Sequence, residues 1–382
     1  MTDSPSIFAA PRVGTYPGAD GAAVRLDGSF GEGGGQILRT SLSLSALTGR
    51  PLRLEKIRAG REKPGLKRQH LAAAKAVAEI CGAKTEGAEL GSTTLSFAPG
   101  AIRGGSFRFD VGSAGSAILV AQTVLPVLLR APEPSEVEIT GGTHVPWAPT
   151  WDFFAESYLP QLRAMGARVE AECPMRGFYP AGGGEIRLRV EPFRDADAHP
   201  FALEERGALR RARVTAVVSG IPLDIAESEA DILQEKFPEL SLERDVREVD
   251  SPGPGNAVWM TLEYERVTAV FSEVGSFDLS RKVVAHRVMN AVRKYLKTGA
   301  PVGPHLADQL VVPIVALGGE GVFVKGKDTL HETTNWEVVR AFLPDTRIER
   351  TETPGEKKIR FAFPSAEDGA EAAPRRRCDA YP

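Results

Sequence analysis

The chain has 382 residues, with 47 basic and 50 acidic side chains. This length is enough to bury a sizeable core and suggests two or three domains. The nearly balanced charge does not by itself call for a nucleic-acid partner, so any such binding would have to come from a local basic patch. No apolar run reaches the roughly 18 residues of a membrane helix, and the first 20 residues lack the order of a secretion signal, so no membrane partner is expected.

The cysteines and the two ends of the chain predict a cytoplasmic protein with loose tails. Cys81, Cys173 and Cys378 lie far apart without metal-ligand spacing, which fits a reducing cytosol and argues against a disulfide scaffold. Residues 1–20 and 365–382 are predicted to be disordered.

Between the tails, one order of elements recurs with a glycine-led helix in each copy. The first copy has a strand at 23–26, a glycine turn at 28–36, a helix at 37–47, a strand at 52–57, a helix at 66–80, and strands near 84–86 and 94–97. The second has a strand at 107–111, a glycine turn at 112–115, a helix at 117–129, a strand at 136–140, a helix at 150–165, and strands at 168–173 and 185–190. Together they form residues 21–200 of a large domain.

A segment with a different order of elements separates the second copy from the third. Residues 201–298 predict a small inserted α/β domain with a strand at 213–218, a helix at 222–236 beginning on a proline, strands at 240–246, 258–264 and 267–274, and a basic helix at 279–296. Residues 299–364 predict the third copy, with a helix at 305–315, a strand at 322–324, a helix at 336–343, and strands at 347–351 and 358–363. Repeated βαβαββ units predict an α/β (α+β layered) fold.

Three motifs, two in the first copy and one in the third, have the residue types of a phosphate site. The first is the strand-to-helix turn Gly31-Glu32-Gly33-Gly34-Gly35-Gln36, whose backbone amides would approach phosphate oxygens and whose Glu32 would hold a divalent metal. It is neither a Walker loop nor a dinucleotide fingerprint. The alternative is a tight turn with a solvated glutamate.

The second motif is a basic loop, from Arg58 to His70, that leads into a helix. Cations at a helix amino end are electrostatically disfavoured, so their clustering indicates that they face an anion. A solvated run of charges is the alternative. Elsewhere, Gln122 is the polar residue of an apolar helix, and the Pro-rich loop 141–149 would wall a ring or simply form a constrained turn.

The third motif places His331 in a loop just before the helix at 336–343, with Thr334 or Asn335 as the expected helix cap. Helix starts favour anions, and a neutral imidazole beside a bound phosphate is a competent nucleophile. The alternative is a surface or capping histidine.

Several segments in order resemble the RNA 3′-terminal phosphate cyclase family across about residues 22–363. They are GEGGGQILR (31–39), RAGREKPGLKRQHL (58–71), GSAGSAILVAQTVLP (112–126), GGTHVPWAP (141–149), GFYPAGGGE (177–185) and LADQLVVP (306–313). The resemblance implies three repeats similar to the C-terminal domain of a translation initiation factor, with an inserted thioredoxin-like domain. It also implies conversion of an RNA 3′-phosphate end to a 2′,3′-cyclic phosphate with ATP and a divalent metal.

The resemblance further implies a role for individual residues. His331 would take AMP from ATP, Glu32 would hold Mg²⁺ or Mn²⁺, and Pro149 would face the adenine. The other ATP contacts would be Gln122, His305, Leu306, Ala307, Asp308 and Gln309, while Arg39, Arg61, Arg68 and Gln69 would grip ATP phosphates or the RNA end. Bacterial family members carry tyrosine where His305 stands.

Two other functions remain open alternatives. One is a non-catalytic relative that binds during ribosome assembly, although such a protein has no need of His331. The other is an enolpyruvyl transferase, which shares repeated βαβαββ units and basic anion-binding loops but forms no adenylated enzyme. The oligomeric state is open, with a homodimer as one option.

Overall fold

The computed structural model describes residues 15–16, 23–317 and 320–362. Within them lie three four-stranded sheets and one five-stranded sheet, together with helices, so the predicted α/β class is confirmed. The predicted tails 1–20 and 365–382 lie outside the described residues, apart from Thr15–Tyr16. No helix of the described ranges combines the length and apolarity needed to cross a membrane.

The first unit begins with an edge strand and ends with a hairpin-like pair. Its elements are β1 (Thr15–Tyr16), β2 (Ala23–Asp27), α1 (Gly35–Thr48), β3 (Leu52–Glu55), α2 (Arg68–Cys81), β4 (Lys84–Glu86) and β5 (Leu95–Ala98). Both helices end at a glycine in the left-handed region, Gly49 and Gly82, which is the usual stop for an α-helix.

The second unit repeats this order with a modified second helix. Its elements are β6 (Gly105–Asp110), α3 (Ala117–Leu128), β7 (Ser135–Gly141), α4 (Trp151–Phe153), a π-helical turn (Phe154–Tyr158), α5 (Leu159–Ala164), β8 (Val169–Met175) and β9 (Gly184–Val190). The predicted helix at 150–165 is therefore continuous in sequence but includes one wider turn. The predicted elements of these two units lie within about two residues of the observed ones, which is the usual uncertainty of helix and strand ends.

The remaining elements form the insertion and the third unit. They are β10 (Phe201–Leu203), β11 (Leu209–Ser219), α6 (Asp224–Lys236), β12 (Glu243–Glu248), β13 (Gly255–Tyr264), β14 (Thr268–Val274), α7 (Arg281–Leu296), α8 (Pro304–Gln309), α9 (Val311–Leu317), β15 (Glu320–Lys325), α10 (Leu330–Phe342), β16 (Arg347–Thr353) and β17 (Glu356–Ala362). Short 3₁₀ turns occur at Asp195–Asp197 and Pro238–Leu240.

The three sheets outside the insertion share one strand order. In each unit, the first two strands in sequence are paired in parallel. The second strand also pairs with the fourth, and the fourth with the third, both antiparallel. The spatial orders are therefore β2-β3-β5-β4, β6-β7-β9-β8 and β10-β15-β17-β16. Phe201 pairs with Gly321, so β10 lies in the third sheet. We propose that the insertion begins after Leu203 rather than at Phe201.

Helices of the three units pack together between their sheets. Helix α1 contacts α2, α3, α9 and α10, and α3 contacts α2 and α9. These contacts merge the apolar side chains of all three units into one core, while β11–β14, α6 and α7 enclose a separate core. The amino ends of α1 and α10 are thereby brought to the same place, although they are about 300 residues apart in sequence.

The helix boundaries differ from the predictions in three places. The predicted helix at 305–315 is two helices, α8 and α9, because Pro313 has no N–H to donate to the carbonyl of Gln309. Helix α6 begins at Asp224, so Pro222 precedes the helix instead of opening it. Helix α10 begins at Leu330, six residues before the predicted start, and therefore includes His331.

Candidate active site

The candidate site lies where the amino ends of α1 and α10 meet α8. The Thr40 hydroxyl of α1 donates to Asn335 Oδ1 of α10 at 2.6 Å, and Asn335 Nδ2 donates to the carbonyl of Asp308 in α8 at 2.7 Å. All three residues are buried, so these hydrogen bonds are shielded from water and their loss would leave polar groups unsatisfied. They fix the relative position of the segments that present the polar side chains of the site.

His331 occupies the first turn of α10, so its predicted place in a loop is wrong. The cap is Thr329, whose hydroxyl accepts from the backbone N–H of Glu332 at 3.1 Å, and neither Thr334 nor Asn335 caps the helix. Those two side chains bond instead to Leu330 O and to Asp308 O. The imidazole of His331 is exposed and lies at a helix end whose dipole favours anions.

A buried ion-pair network on the core side of α10 supports this first turn. Lys325 Nζ bonds to Glu332 and also to Asp328 Oδ1 at 2.6 Å, and Trp336 Nε1 donates to Glu332 Oε1 at 3.3 Å. Lys325 and Glu332 are almost wholly buried, and removal of either one would leave an uncompensated charge in the core. The network joins β15, the loop after it and α10, and so holds the backbone on which His331 sits.

Gln36 determines which nitrogen of His331 is available for chemistry. Gln36 Nε2 donates to Asp308 Oδ2 at 3.2 Å, so its Oε1 faces His331 and accepts from Nδ1–H. That hydrogen bond favours the Nδ1–H tautomer and leaves the Nε2 lone pair free. Nε2 is therefore the ring nitrogen that could act as a nucleophile.

The electrostatics around His331 keep the imidazole neutral. Desolvation lowers its pKa, Glu32 raises it, and the charges of Arg39 and Arg61 lower it further, with a net downward shift. Burial, together with the nearby Glu332 carboxylate, raises the pKa of Asp308 to about 8, so this carboxyl is largely protonated at neutral pH. A neutral Asp308 places no negative charge beside Gln36 that would favour the imidazolium.

The glycine turn packs directly against α10. Gly31 has φ +57° and a Cβ there would clash with the Thr334 hydroxyl, which accepts from the N–H of Glu32 at 3.1 Å. Gly34 N donates to Glu32 Oε2 at 2.8 Å, and the other carboxylate oxygen pairs with Arg61. The Glu32 side chain is only 12% exposed, so the turn does not leave it solvated.

Two arginines, Arg39 and Arg61, come together with His331 and Glu32 and supply positive charge. Arg39 is half-buried, and although burial lowers the pKa of Arg39 to about 10 it remains charged at neutral pH. His70 also lies beside Gly35, but burial and the charges of Arg39, Arg58 and Lys67 lower its pKa to about 3, which excludes a protonated form at neutral pH. Lys67 N–H donates to His70 Nδ1 at 3.1 Å, so His70 is a structural hydrogen-bonding residue.

The cations of the basic loop are of two kinds: some hold the loop together, and others are exposed to solvent. Arg58 is buried, and its guanidinium donates to Lys63 O at 2.7 Å and Gly65 O at 2.8 Å, so it holds the loop together instead of facing an anion. Arg68 is exposed and donates to Gly112 O at 3.1 Å, while Gln69 Oε1 accepts from Ser116 N at 3.1 Å. Arg68 and Gln69 therefore lie toward the second unit, beside the turn before α3.

The remaining predicted ATP contacts lie along α3 and α8. Gln122 Nε2 donates to Gln309 Oε1, which joins α3 to α8. His305 is exposed at the start of α8, and desolvation together with the nearby His331 lowers its pKa, so the two imidazoles are close. Leu306 and Ala307 are buried in the core.

Pro149 is half-buried at the end of its loop, next to Thr150, whose hydroxyl donates to Ser272 of the insertion at 3.1 Å. The Thr150 contact connects this end of the loop to β14 of the insertion. The assignment of Pro149 to the adenine stays a prediction.

Sequence patterns indicated no role for Gln36, Thr334 or Asn335 as contacts of this site. Gln36 directly follows the glycine turn, and its place beside that predicted phosphate-binding motif is the signal that points to it. Its partner His331 lies 295 residues away, so the pairing is visible only in the folded chain.

A family model for RNA 3′-terminal phosphate cyclase matches residues 30–347. The chain belongs to this family. Among curated relatives of the family, an RNA 3′-terminal phosphate cyclase of Pseudomonas fluorescens is 48% identical over 330 residues, which cover 85% of this chain and 94% of the relative. The cyclase of that name from Salmonella agona is 46% identical over 324 residues, covering 85% and 93%.

A solved structure, the enolpyruvyl transferase NikO from Streptomyces tendae, aligns with a TM-score of 0.25 and 16% identity over 45% of this chain and 33% of that protein. A likeness this limited supports no functional inference, and the enolpyruvyl transferase alternative is not favoured.

Changing Gln36 tests whether it controls the His331 tautomer. In Gln36→Glu, a carboxylate beside Nδ1 would stabilise the imidazolium and raise the pKa of His331, so the low-pH limb of enzyme adenylation should move to higher pH by about one unit. Gln36→Leu should slow adenylation about 10- to 100-fold without that shift, because the ring loses its orientation. Single-turnover adenylation measured across pH gives both results.

Gln234→Glu is the matched control, because Gln234 lies in α6 of the insertion, and it should keep the wild-type profile. A wild-type pH profile in Gln36→Glu would contradict the contact between Gln36 and the nucleophile.

Proposed function

We propose that this chain is an ATP-dependent enzyme that converts an RNA 3′-terminal phosphate to a 2′,3′-cyclic phosphodiester, through enzyme-histidine-AMP and RNA-adenylate anhydride intermediates. The observation that carries the proposal is the exposed residue His331, whose Nδ1 is held by Gln36 and whose imidazole lies near the charges of Arg39, Arg61 and Glu32. Family membership and the name shared by the curated relatives support it. A non-catalytic ribosome-assembly protein would have no need of an imidazole held in this way.

The first step is attack of His331 Nε2 on the α-phosphorus of ATP. A nitrogen–phosphorus bond forms as the bond to the pyrophosphate oxygen breaks, and pyrophosphate leaves. The proton on Nδ1 stays in its hydrogen bond to Gln36, which stabilises the positive charge that develops on the ring. Arg39 and Arg61 would bind phosphate oxygens, and the amino ends of α1 and α10 would add two helix dipoles that favour the same negative charge.

The second and third steps transfer AMP to the RNA and then expel it. An oxygen of the RNA 3′-phosphate attacks the phosphorus of histidine-AMP, and the imidazole leaves as the neutral base that its lowered pKa favours. The neighbouring 2′-hydroxyl then attacks the activated 3′-phosphorus, AMP departs, and the hydroxyl proton is lost to solvent. Because both groups belong to one ribose, proximity removes much of the entropic barrier.

The adenosine end of ATP is assigned to the face formed by α3, α8 and the Pro-rich loop. His305 is exposed there, and its lowered pKa leaves an uncharged ring that can stack on adenine in place of the tyrosine of bacterial members. Gln122 and Gln309 offer amide groups that would exchange their mutual hydrogen bond for bonds to the nucleotide. Leu306 and Ala307 are buried, so in this proposal they contribute backbone groups only.

A divalent metal, Mg²⁺ or Mn²⁺, is proposed to bind at Glu32. Magnesium is commonly held by one or two carboxylates together with substrate phosphates, and a single glutamate beside the phosphate-binding arginines fits that pattern. No group of three or more metal-ligating side chains occurs in the described ranges, so the other ligands would have to be substrate phosphates and water. When bound, the metal would neutralise charge on the phosphates, while Arg61 would have to release Glu32 and turn to the nucleotide.

Cys81 and Cys173 are free thiols, which supports the predicted cytoplasmic location. A homodimer stays a prediction.

Removing the Glu32 carboxylate tests the metal proposal. Glu32→Ala should lose adenylation at low Mg²⁺ or Mn²⁺ and recover part of it at higher metal, because the substrate phosphates still contribute ligands. Titrations of the adenylation rate against each metal measure the shift. Glu86→Ala, which removes an exposed carboxylate of β4, should match the wild type, and an unchanged metal dependence in Glu32→Ala would reject the assignment.

Three versions of one oligonucleotide test the reaction itself. The RNA with a 3′-phosphate should be cyclised, and the RNA with a 3′-hydroxyl should not react. The version with a 2′-deoxy-3′-phosphate should stop at the adenylated anhydride, because no 2′-hydroxyl can attack. Chromatography of the products, with AMP release followed in parallel, distinguishes the three outcomes, and consumption of the 3′-hydroxyl RNA at the rate of the phosphate would reject a cyclase.

A further inference from the structure

Two loops of the second unit each present an exposed aromatic ring that has no part in the mechanism above, although one of these loops ends at Pro149, which is assigned to the adenine. Trp147 in loop 143–149 is fully exposed, and Tyr179 in loop 177–183 is 56% exposed. The loops lie side by side, because the N–H groups of Thr143 and His144 donate to Gly177 O at 2.9 and 3.1 Å. His144 also forms a bridge to Phe178. The two rings therefore belong to one surface.

The buried side of this surface is rigidly built. His144 is wholly buried and is held by Thr143 Oγ1 at 2.8 Å and by Asp152 Oδ2 at 2.7 Å. Its ring packs against Phe178 and against Trp259 of the insertion, with centroids 5.4 and 6.2 Å away. The exposure of Trp147 and Tyr179 is thus set by anchored loops that turn these rings to solvent.

The backbone at Trp147 adds a second observation. Its φ is +65°, in the left-handed region, which a bulky aromatic residue adopts at a cost. Such strain persists where surrounding contacts impose it, and it is concentrated at binding and catalytic sites. Here, Trp147 has an unfavourable backbone conformation, and burial of its indole ring does not offset that cost, because the ring is fully exposed.

The same face continues to the candidate active site. Gly182 packs against Ala114 so closely that an added Cβ would lie 2.7 Å from the Ala114 Cα atom. In the turn that contains Ala114, the carbonyl oxygen of Gly112 accepts a hydrogen bond from Arg68. Arg68 is the first residue of α2, the helix that places His70 beside Arg39. Between Arg68 and the aromatic loops, the turn carries only the small residues Gly112, Ser113 and Ala114, which leave room for a passing chain.

Exposed cations line this path up to the turn, where the carboxylate of Asp110 accepts from the Gly112 N–H at 2.8 Å. Lys63, Lys67 and Arg68 are exposed, and within the described ranges no carboxylate lies at ion-pair distance from any of them. Unneutralised cations beside exposed planar rings are the combination that binds single-stranded nucleic acid, where phosphates meet the cations and bases stack on the rings. A protein partner would not need these cations. The cations also continue into the site that is proposed to bind the RNA end, which favours RNA as the ligand.

We infer that Trp147 and Tyr179 stack bases of the RNA strand just upstream of its 3′-terminal phosphate, with Lys67 and Arg68 binding the intervening backbone phosphates. This inference rests on the proposed function, since it extends the path of the same substrate. The strand would leave the site past Arg68, cross the small-residue turn 112–115 and reach the two rings.

Length-matched substrates test the inference. For a 3′-phosphate RNA of about ten nucleotides, Trp147→Leu and Tyr179→Leu should each raise KM about 5-fold or more, the loss expected for one stacked base. KM for a dinucleotide 3′-phosphate and the rate of adenylation by ATP alone should stay at wild-type values. Trp147→Phe keeps a ring and should retain most of the affinity, and Leu209→Ala, an exposed residue at the far end of β11, is the control.

A direct readout uses the indole itself. Trp151 is half-buried, and Trp259 and Trp336 are buried, so Trp147 is the fully exposed indole among the four. Binding of the same RNA with a 3′-hydroxyl end should quench tryptophan emission in the wild type and leave it unquenched in Trp147→Phe.

An unchanged KM for the long RNA would overturn the inference. So would an equal rise in KM for the dinucleotide, which would show that the loops merely support the active site. A change of oligomeric state in Trp147→Leu with unchanged RNA kinetics would instead identify a self-association face. A wild type that forms no enzyme adenylate would reject the proposed function first, and this extension with it.

Discussion

The hydrogen bond between His331 and Gln36 is the contact on which the rest of the site depends. It joins the first turn of α10 to the first turn of α1, and it leaves Nε2 as the ring nitrogen without a proton. The hydrogen bonds of Thr40, Asn335 and Asp308 hold the three helices together around it, and Gly31 lets the glycine turn approach Thr334. The position of His331 in the site therefore depends on the packing of the first unit against the third.

The same packing sets the charges of the site. A half-buried Arg39 and an exposed Arg61 stand beside one carboxylate, Glu32, while burial keeps Asp308 largely protonated and His70 neutral. The result is a local excess of positive charge on a chain whose net charge is −3. This arrangement suits a polyphosphate substrate, and it keeps His331 uncharged, as the proposed nucleophile must be.

Local sequence patterns were sufficient to predict the α/β class, the glycine turn and most element bounds, because glycine stops and apolar periodicity are local signals. They misplaced the start of α10, because Thr329 competes with Thr334 and Asn335 as a cap and the choice depends on the distant partner Asp308. They missed β10, a short strand whose partner lies beyond the insertion at Gly321. The role of Gln36 likewise required a contact across 295 residues.

The central claim is that His331 forms a covalent bond to AMP through Nε2. Enzyme incubated with ATP labelled in the α-phosphate and denatured in alkali, where a phosphoramidate survives, can be digested and the labelled peptide sequenced by mass spectrometry. The account predicts one labelled peptide that contains His331, with the bond on Nε2, and no label in His331→Ala. Label on another residue, on Nδ1, or persisting in the alanine variant would contradict it.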